Sequence, residues 1–275
     1  MRRSQSLWHF IVPLVVSLLS PAWGAEQNPS RAFGAGERLV YDIAYLGVSA
    51  GTGVMEVMAP SQVNGHMAYP VISTAQSNDL VSLFYPVSDR VESYMDVEGL
   101  HSHRIDVRQH QGKKRREKVV NFDPVRRVAV QRKNGKEEVF SVPSDVHDAL
   151  SSLYFFRNQT FPGAGESVFI NVHESEKNWK LEIRILGKER VATPVGTFDT
   201  VKVQALIRYR GIFLDSGDVF LWMSDDAHHI PVKIVSTIKI GAITATLISR
   251  RDAHTASAPS TAHRTPIVPL THGAP

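Results

Sequence analysis

The chain has 275 residues, 43% of them hydrophobic and 21% charged, with a net charge of +4. That balance excludes a disordered or fibrous chain and leaves enough apolar matter for one large β domain or two small ones. Cysteine is absent, which excludes structural disulfides, thiolate metal sites, thiol catalysis and a lipid-bearing cysteine.

The N-terminus carries Arg2-Arg3, an apolar run from Leu7 to Leu19, and then Ser20-Pro21-Ala22-Trp23-Gly24-Ala25. This is the three-part layout of a secretory leader, expected to be cleaved after Gly24. The apolar run is shorter than the roughly 20 residues that span hydrocarbon and contains Pro13, which argues against a retained anchor. Residues 1–24 therefore read as a signal peptide and 25–32 as a linker. The expected compartment is the periplasm.

From Phe33 onward strand patterns follow one another. Leu39, Tyr41, Ile43 and Tyr45 alternate with polar or small residues, as expected for a sheet with one wet face. Gly47-Val48-Ser49-Ala50-Gly51 satisfies the G-x-S-x-G pattern of a nucleophile elbow, but that motif needs a helix after the serine. Glycine-loosened strand follows instead, so the motif reads as a tight hairpin. Ser77 to Tyr94 contains a short helix: Asn78 or Ser77 can cap, Leu80, Leu83 and Phe84 share a face, and Pro86 ends it. Its apolar side is expected to plug one end of the sheet.

His101 and His103 lie on one face of a strand, and His228-His229 fall in a turn after Asp225-Asp226. Zinc accepts such ligands, yet the spacing by itself requires no ion, and no metal or cofactor is assigned. Between Arg104 and Lys136 twelve basic residues face three acidic ones, a local charge of +9 in a chain of +4. The candidates for anion contact are Arg104, Arg108, Lys113, Lys114, Arg115, Arg116, Lys118, Arg126 and Arg127. The bland reading is a solvated face that guards strands against edge pairing; the functional one is a patch facing lipid headgroups.

A second helix is expected over Ser144–Phe156, with apolar positions 146, 149, 150, 153 and 154 on one stripe. Alternation returns in Trp179, Leu181, Ile183 and Ile185, then in Val201 to Ile207, Asp218 to Trp222, Pro231 to Ile238 and Ala242 to Ser249. Residues 252–275 are rich in Ala, Ser, Thr, Pro and His and read as a disordered tail. The fold expected over 33–251 is a single mainly β domain. It is a curved antiparallel sheet of about a dozen strands, forming a barrel or half-barrel with two short covering helices.

Five ordered stretches resemble one bacterial family: Gly36-Glu37-Arg38-Leu39-Val40-Tyr41-Asp42, Leu83-Phe84-Tyr85-Pro86-Val87-Ser88-Asp89-Arg90, Asp148-Ala149-Leu150-Ser151-Ser152-Leu153-Tyr154, Thr193-Pro194-Val195-Gly196-Thr197-Phe198-Asp199-Thr200, and Leu221-Trp222-Met223-Ser224-Asp225-Asp226. The family is the exported domain of unknown function 3108. The resemblance implies a β-rich envelope protein and carries over no activity or catalytic residue.

Three functions fit these observations. In the first, a hydrophobic or amphiphilic anionic ligand of lipid or lipopolysaccharide type meets Leu80, Leu83, Phe84, Tyr85, Leu150, Leu153 and Tyr154, with the basic segment against its headgroup or an anionic membrane. In the second, a packed, ligand-free domain serves as an envelope scaffold for a protein partner. The third, an outer-membrane β-barrel, fits less well, because capped amphipathic helices need a protein core. An enzyme is not expected, since no catalytic constellation has its required context. Nucleic acid is excluded as a partner by export and by the lack of interleaved stacking aromatics.

Overall fold

The computed structural model describes residues 31–209, 212, 213, 218–238 and 240–253. The leader over 1–24, the linker as far as residue 30 and the tail from residue 254 lie outside the described residues.

Among the described residues sixteen strands and two short helices follow one another. They are β1 (Arg38–Tyr45), β2 (Val48–Val57), β3 (Ser61–Val63), β4 (His66–Ser77), α1 (Asp79–Ser82), β5 (Val87–Asp96), β6 (Ser102–Gln111), β7 (Lys114–Asp123), β8 (Val128–Lys133), β9 (Lys136–Ser141), α2 (Ala149–Arg157), β10 (Ser167–Glu174), β11 (Lys177–Thr193), β12 (Gly196–Tyr209), β13 (Ile212–Phe213), β14 (Val219–Ser224), β15 (Pro231–Thr237) and β16 (Ala242–Arg251). All belong to one sheet, whose path runs β10-β11-β12-β14-β15-β16-β1-β2-β4-β5-β6-β7-β8-β9. The short β3 and β13 add to β4 and β12. Hairpins join most neighbours, and the pairing of β1 with β16 brings the first and last described strands together at mid-path.

The sheet curls but its ladder does not close: β9 and β10 remain edges. Side chains and one connecting segment bridge the gap. Lys118 Nζ donates to both carboxylate oxygens of Glu174 at 2.8 and 2.9 Å, Lys133 reaches Glu176 at 3.1 Å, and Asn178 donates to the Ser141 carbonyl at 2.7 Å. The segment after β9 then runs between the two arcs. Ser102 N–H donates to Val146 O on one side, and His147 exchanges backbone hydrogen bonds with Asn171 and His173 on the other. A sheet with one apolar face must curl or be covered, and here curling is completed by polar contacts.

Inside the curl lies α2. Asp148 caps it by accepting from Leu150 and Ser151 N–H, and Ser151 reciprocates toward Asp148 N–H, a capping box. The same fully buried carboxylate accepts from the hydroxyls of Ser93 on β5 and Ser102 on β6, at 2.6 and 2.7 Å. From this anchor the helix faces both arcs. Leu150 and Tyr154 pack with Val57, Val71 and Met95, whereas Phe156 packs with Ile170, Ile183, Val203 and Met223. The sequence pattern starts this helix about four residues too early, because Asp148, not Ser144, makes the cap, and ends it within one residue of Arg157.

The last helical residue, Arg157, is wholly buried and pairs with Glu37 through two parallel hydrogen bonds of 2.7 and 2.8 Å. Its remaining donors reach the carbonyls of Ala32 and His228, and its guanidinium lies over the rings of Phe33 and Tyr154. Glu37 holds Arg157 charged despite burial; burial first, and then the Glu37 charge, push the Tyr154 hydroxyl well above the usual phenol range against the opposing pull of Arg157.

Removing one member of a buried ion pair leaves an uncompensated charge. Glu37→Ala is expected to lower unfolding free energy by about 3–5 kcal/mol. Urea denaturation checks it, as a fall in midpoint at unchanged slope.

Candidate functional site

At the end of the sheet where β1 meets β2, exposed apolar side chains gather on consecutive turns. Tyr45 pairs with Val48 and Ile243, Leu46 N–H donates to Ala242 O, and the Tyr45 hydroxyl donates to Ile240 O. Leu46, Val48, Ile238 and Ile240 are all exposed. Next along the sheet comes α1, tied to β2 by Asn78, whose N–H donates to Ala50 O and whose side chain donates to Ser49 O.

The α1 side chains point opposite to the expectation that they plug the barrel. Leu80, Leu83 and Phe84 are 65%, 77% and 84% exposed, and no α1 residue is buried. The reason is local. Asn78 and Ser82 turn the polar side of this single helical turn toward the sheet, with the Ser77 and Ser82 hydroxyls 2.7 Å apart, and Pro86 prevents a second turn. The plug is α2 instead, through Leu150 and Tyr154, with Leu153 half-buried beside them. The seven apolar candidates thus divide into an exposed group, Leu80 to Tyr85, and a core group on α2.

The tip of the β1–β2 hairpin departs from the residue preference of its turn, as Ser175-Glu176 does between β10 and β11. Leu46 and Gly47 have φ of 49° and 81°, the double positive turn that favours Asn-Gly. Two other tips in this chain, Asn64-Gly65 and Asn134-Gly135, follow that preference. At Leu46 the chain accepts a strained backbone and places an exposed leucine there.

Beside α1 stands the β6–β7 hairpin. Gly112 packs under the Tyr85 ring, and its N–H donates to Pro86 O. The tip residues Lys113, Lys114 and Arg115 are exposed and make no ion pair among the described residues. The rest of the basic segment is largely neutralised. Arg104 pairs with Asp106, Arg116 and Lys118 with Glu174, Arg126 with Asp123, Arg132 with Glu137 and Lys133 with Glu176. Lys118 lies opposite the buried Val107, so the face it shares with Lys114 and Arg116 is the inner one. Arg108 and Arg127 are exposed elsewhere on the sheet. A cavity of about 300 Å³ lies among Arg104, Arg108, Lys118, Arg132 and Lys133, but four of these five cations are already paired. A second, of about 460 Å³, lies between Arg157, Phe161, Asp226 and His229. Neither is lined by Leu150, Leu153 or Tyr154.

The opposite end holds a histidine cluster. His103 Nε2 lies 2.9 Å from Asp96 Oδ2, its ring stacks on His66 at 4.3 Å, and His101 meets it edge-on at 4.9 Å. Burial pushes Asp96 up, but the N–H groups of Gly99 and Glu98 and the His103 imidazole outweigh it and hold the carboxyl below its usual range. His228 and His229 do not join this group: His229 hydrogen-bonds Arg157 O and stacks on Phe161. Ser49 hydrogen-bonds Asp42 and is followed by strand, so no nucleophile elbow forms.

The family described as "Protein of unknown function (DUF3108)" matches residues 40–248, from β1 to β16. The chain belongs to this family. No curated protein matches it. Among solved structures it is similar to a beta-barrel-like protein of domain of unknown function DUF1849 from Brucella abortus. The TM-score is 0.56 at 8% identity, over 82% of this chain and 99% of that one. That likeness shows a shared barrel-like fold. A Bacteroides fragilis protein of YmcC-like fold, for which export is proposed, is 12% identical with a TM-score of 0.32, over 80% and 97% of the two chains. A Parabacteroides distasonis protein proposed to be a lipoprotein is likewise 12% identical, with a TM-score of 0.31 over 80% and 98%. Neither DUF3108 nor the barrel-like neighbour assigns a reaction.

Two features of this DUF3108 domain escaped the sequence reading. Leu46, Val48, Ile238 and Ile240 join α1 only through strand order; the legible hint was a leucine before glycine at a hairpin tip. Asp96 and His66 reach His101 and His103 through pairing of β4 with β5 and β5 with β6, which periodicity does not reveal.

His147 lies in the bridging segment near this cluster. Burial, with the His101 imidazole opposing a second charge, lowers it from 6.5 to about 4. The unfolded chain therefore takes up a proton near pH 6.5 that the folded one refuses, so stability present above that pH is lost as pH falls toward 4. The loss approaches about 3 kcal/mol. Thermal melts should show a shallower decline between these pH values in His147→Gln than in the native chain.

Proposed function

We propose that this DUF3108 protein is exported by its leader to the periplasm and docks there on anionic amphiphiles, the surface of a phospholipid bilayer. The observation that carries this reading is the α1 end. Its turns present Leu46, Leu80, Leu83 and Phe84 to solvent, and beside them stand Lys113, Lys114 and Arg115, which make no ion pair among the described residues. Each such apolar side chain gains on the order of 1.5–3 kcal/mol on full transfer out of water. Each basic residue adds about 1 kcal/mol near a negative membrane surface. Asp79, in α1, is a carboxylate at the same end and offsets one of the three cations. A soluble domain seldom strains its backbone to expose leucine, and contiguous apolar turns beside lysines suit an interface that is oily below and charged above.

The ligand contact in this reading is beside the barrel, at its rim. The core under α2 is occupied by the chain's own Leu150, Tyr154 and Phe156.

Flotation with lipid vesicles tests the reading. The protein purified from the periplasm should float with vesicles containing phosphatidylglycerol, less with phosphatidylcholine alone, and less again at high salt. Leu83→Ser with Phe84→Ser should weaken binding at least about tenfold, as the transfer energies require. Lys113→Glu with Lys114→Glu should abolish the preference for phosphatidylglycerol. Equal flotation of native and variant chains, or none by either, overturns it.

A further inference from the structure

The β5–β6 turn gathers more ligating groups than a structural ion pair uses. β5 ends at Asp96, whose Oδ1 accepts the N–H groups of Glu98 and Gly99 and so fixes the carboxylate. Leu100 turns the chain with φ 61°, and His101 follows. Tyr94 then pairs with Arg104 and Met95 with Ser102, so His103 is the extra residue of a bulge. Bulges re-aim a side chain, and this one turns the His103 imidazole inward toward Asp96.

We propose that Asp96, His101 and His103 form a binding site for a divalent transition metal ion, zinc above all. One donor atom from each residue lies within 4.8 Å of the other two. Zinc bonds of about 2.0–2.2 Å to nitrogen and oxygen in tetrahedral array set donors about 3.4 Å apart, so the three need only small shifts. The Asp96–His103 contact, now 2.9 Å, opens slightly to admit the ion.

The His103 side chain is 2% exposed, so the Nε2 atom that faces Asp96 is held in one orientation by its packing. A plain carboxylate–imidazole pair would need one histidine. Here His101 and His66 flank the same ring, at 4.9 and 4.3 Å. Three protein ligands leave a fourth position for water or an exogenous ligand, with the stacked His66 beside it. The set holds no sulfur, which directs it to zinc and its neighbours rather than to copper(I).

Zinc titration of the full periplasmic chain, read by calorimetry and native mass spectrometry, tests the site. One ion per chain is expected, with cobalt(II) giving the visible absorption of a tetrahedral site. His101→Ala and Asp96→Asn should each weaken binding by about tenfold or more. His101→Gln serves as a second variant should His101→Ala fail to fold. His228→Ala, outside the site, should leave affinity unchanged. Absence of binding overturns the proposal, as does equal affinity in native, His101 and Asp96 variants, which would assign the ion to other histidines such as His254, His263 and His272.

Discussion

The Arg157–Glu37 pair is the constraint on which the interior depends. A guanidinium and a carboxylate are drawn out of water together, a step that is favourable only when every donor finds an acceptor. Arg157 meets that condition by reaching Glu37, Ala32 O and His228 O, while its own carbonyl accepts from His229. These partners come from the chain entering β1 and from the turn between β14 and β15. The end of α2 is thereby held to parts of the sheet that no helix packing alone would fix. Asp148 does the same at the start of the helix, binding serines of β5 and β6. Between a buried cation and a buried anion, α2 has one position and fills the curl.

With the interior filled, the two ends of the sheet differ in chemistry. The α1 end is apolar at its turns and basic at one hairpin, and what it can meet lies outside the molecule. The opposite end is polar and titratable, with imidazoles and carboxylates held by turn geometry. The separation follows from topology. Up-and-down strands send every second turn to the same end, so residues far apart in sequence, such as Leu46, Phe84 and Ile240, become neighbours there.

Period-two alternation made the β class, the antiparallel pairing and the curl legible, because burial on one face leaves that mark on every strand. Leu39, Ile105, Ile183 and Val203 fall inside as their patterns require. The count was harder. β3 and β13 are too short for a pattern, and β9, Lys136–Ser141, is exposed along nearly all its length. Apolar stripes located both helices and the inward packing of α2, but not the packing of α1. Leu80, Leu83 and Phe84 resemble a core stripe by spacing, and only the hydrogen bonds of Asn78 and Ser82 turn them outward. Charge showed a similar limit: the segment from Arg104 to Lys136 is conspicuous, but its carboxylate partners Glu174 and Glu176 come from a hairpin forty residues or so downstream.

The bridge between β9 and β10 bears on how this molecule can change shape. Every other junction along the path is a ladder of backbone hydrogen bonds, interrupted only by local bulges, which fixes strand spacing. Along this one line the circumference is held by ammonium–carboxylate pairs and by a single crossing segment. Such contacts can be exchanged for water one at a time, and salt weakens the exposed ones. The cylinder is therefore a split ring: its girth can alter by sliding at one lengthwise cut, with the fourteen-strand wall and the two anchors of α2 left intact.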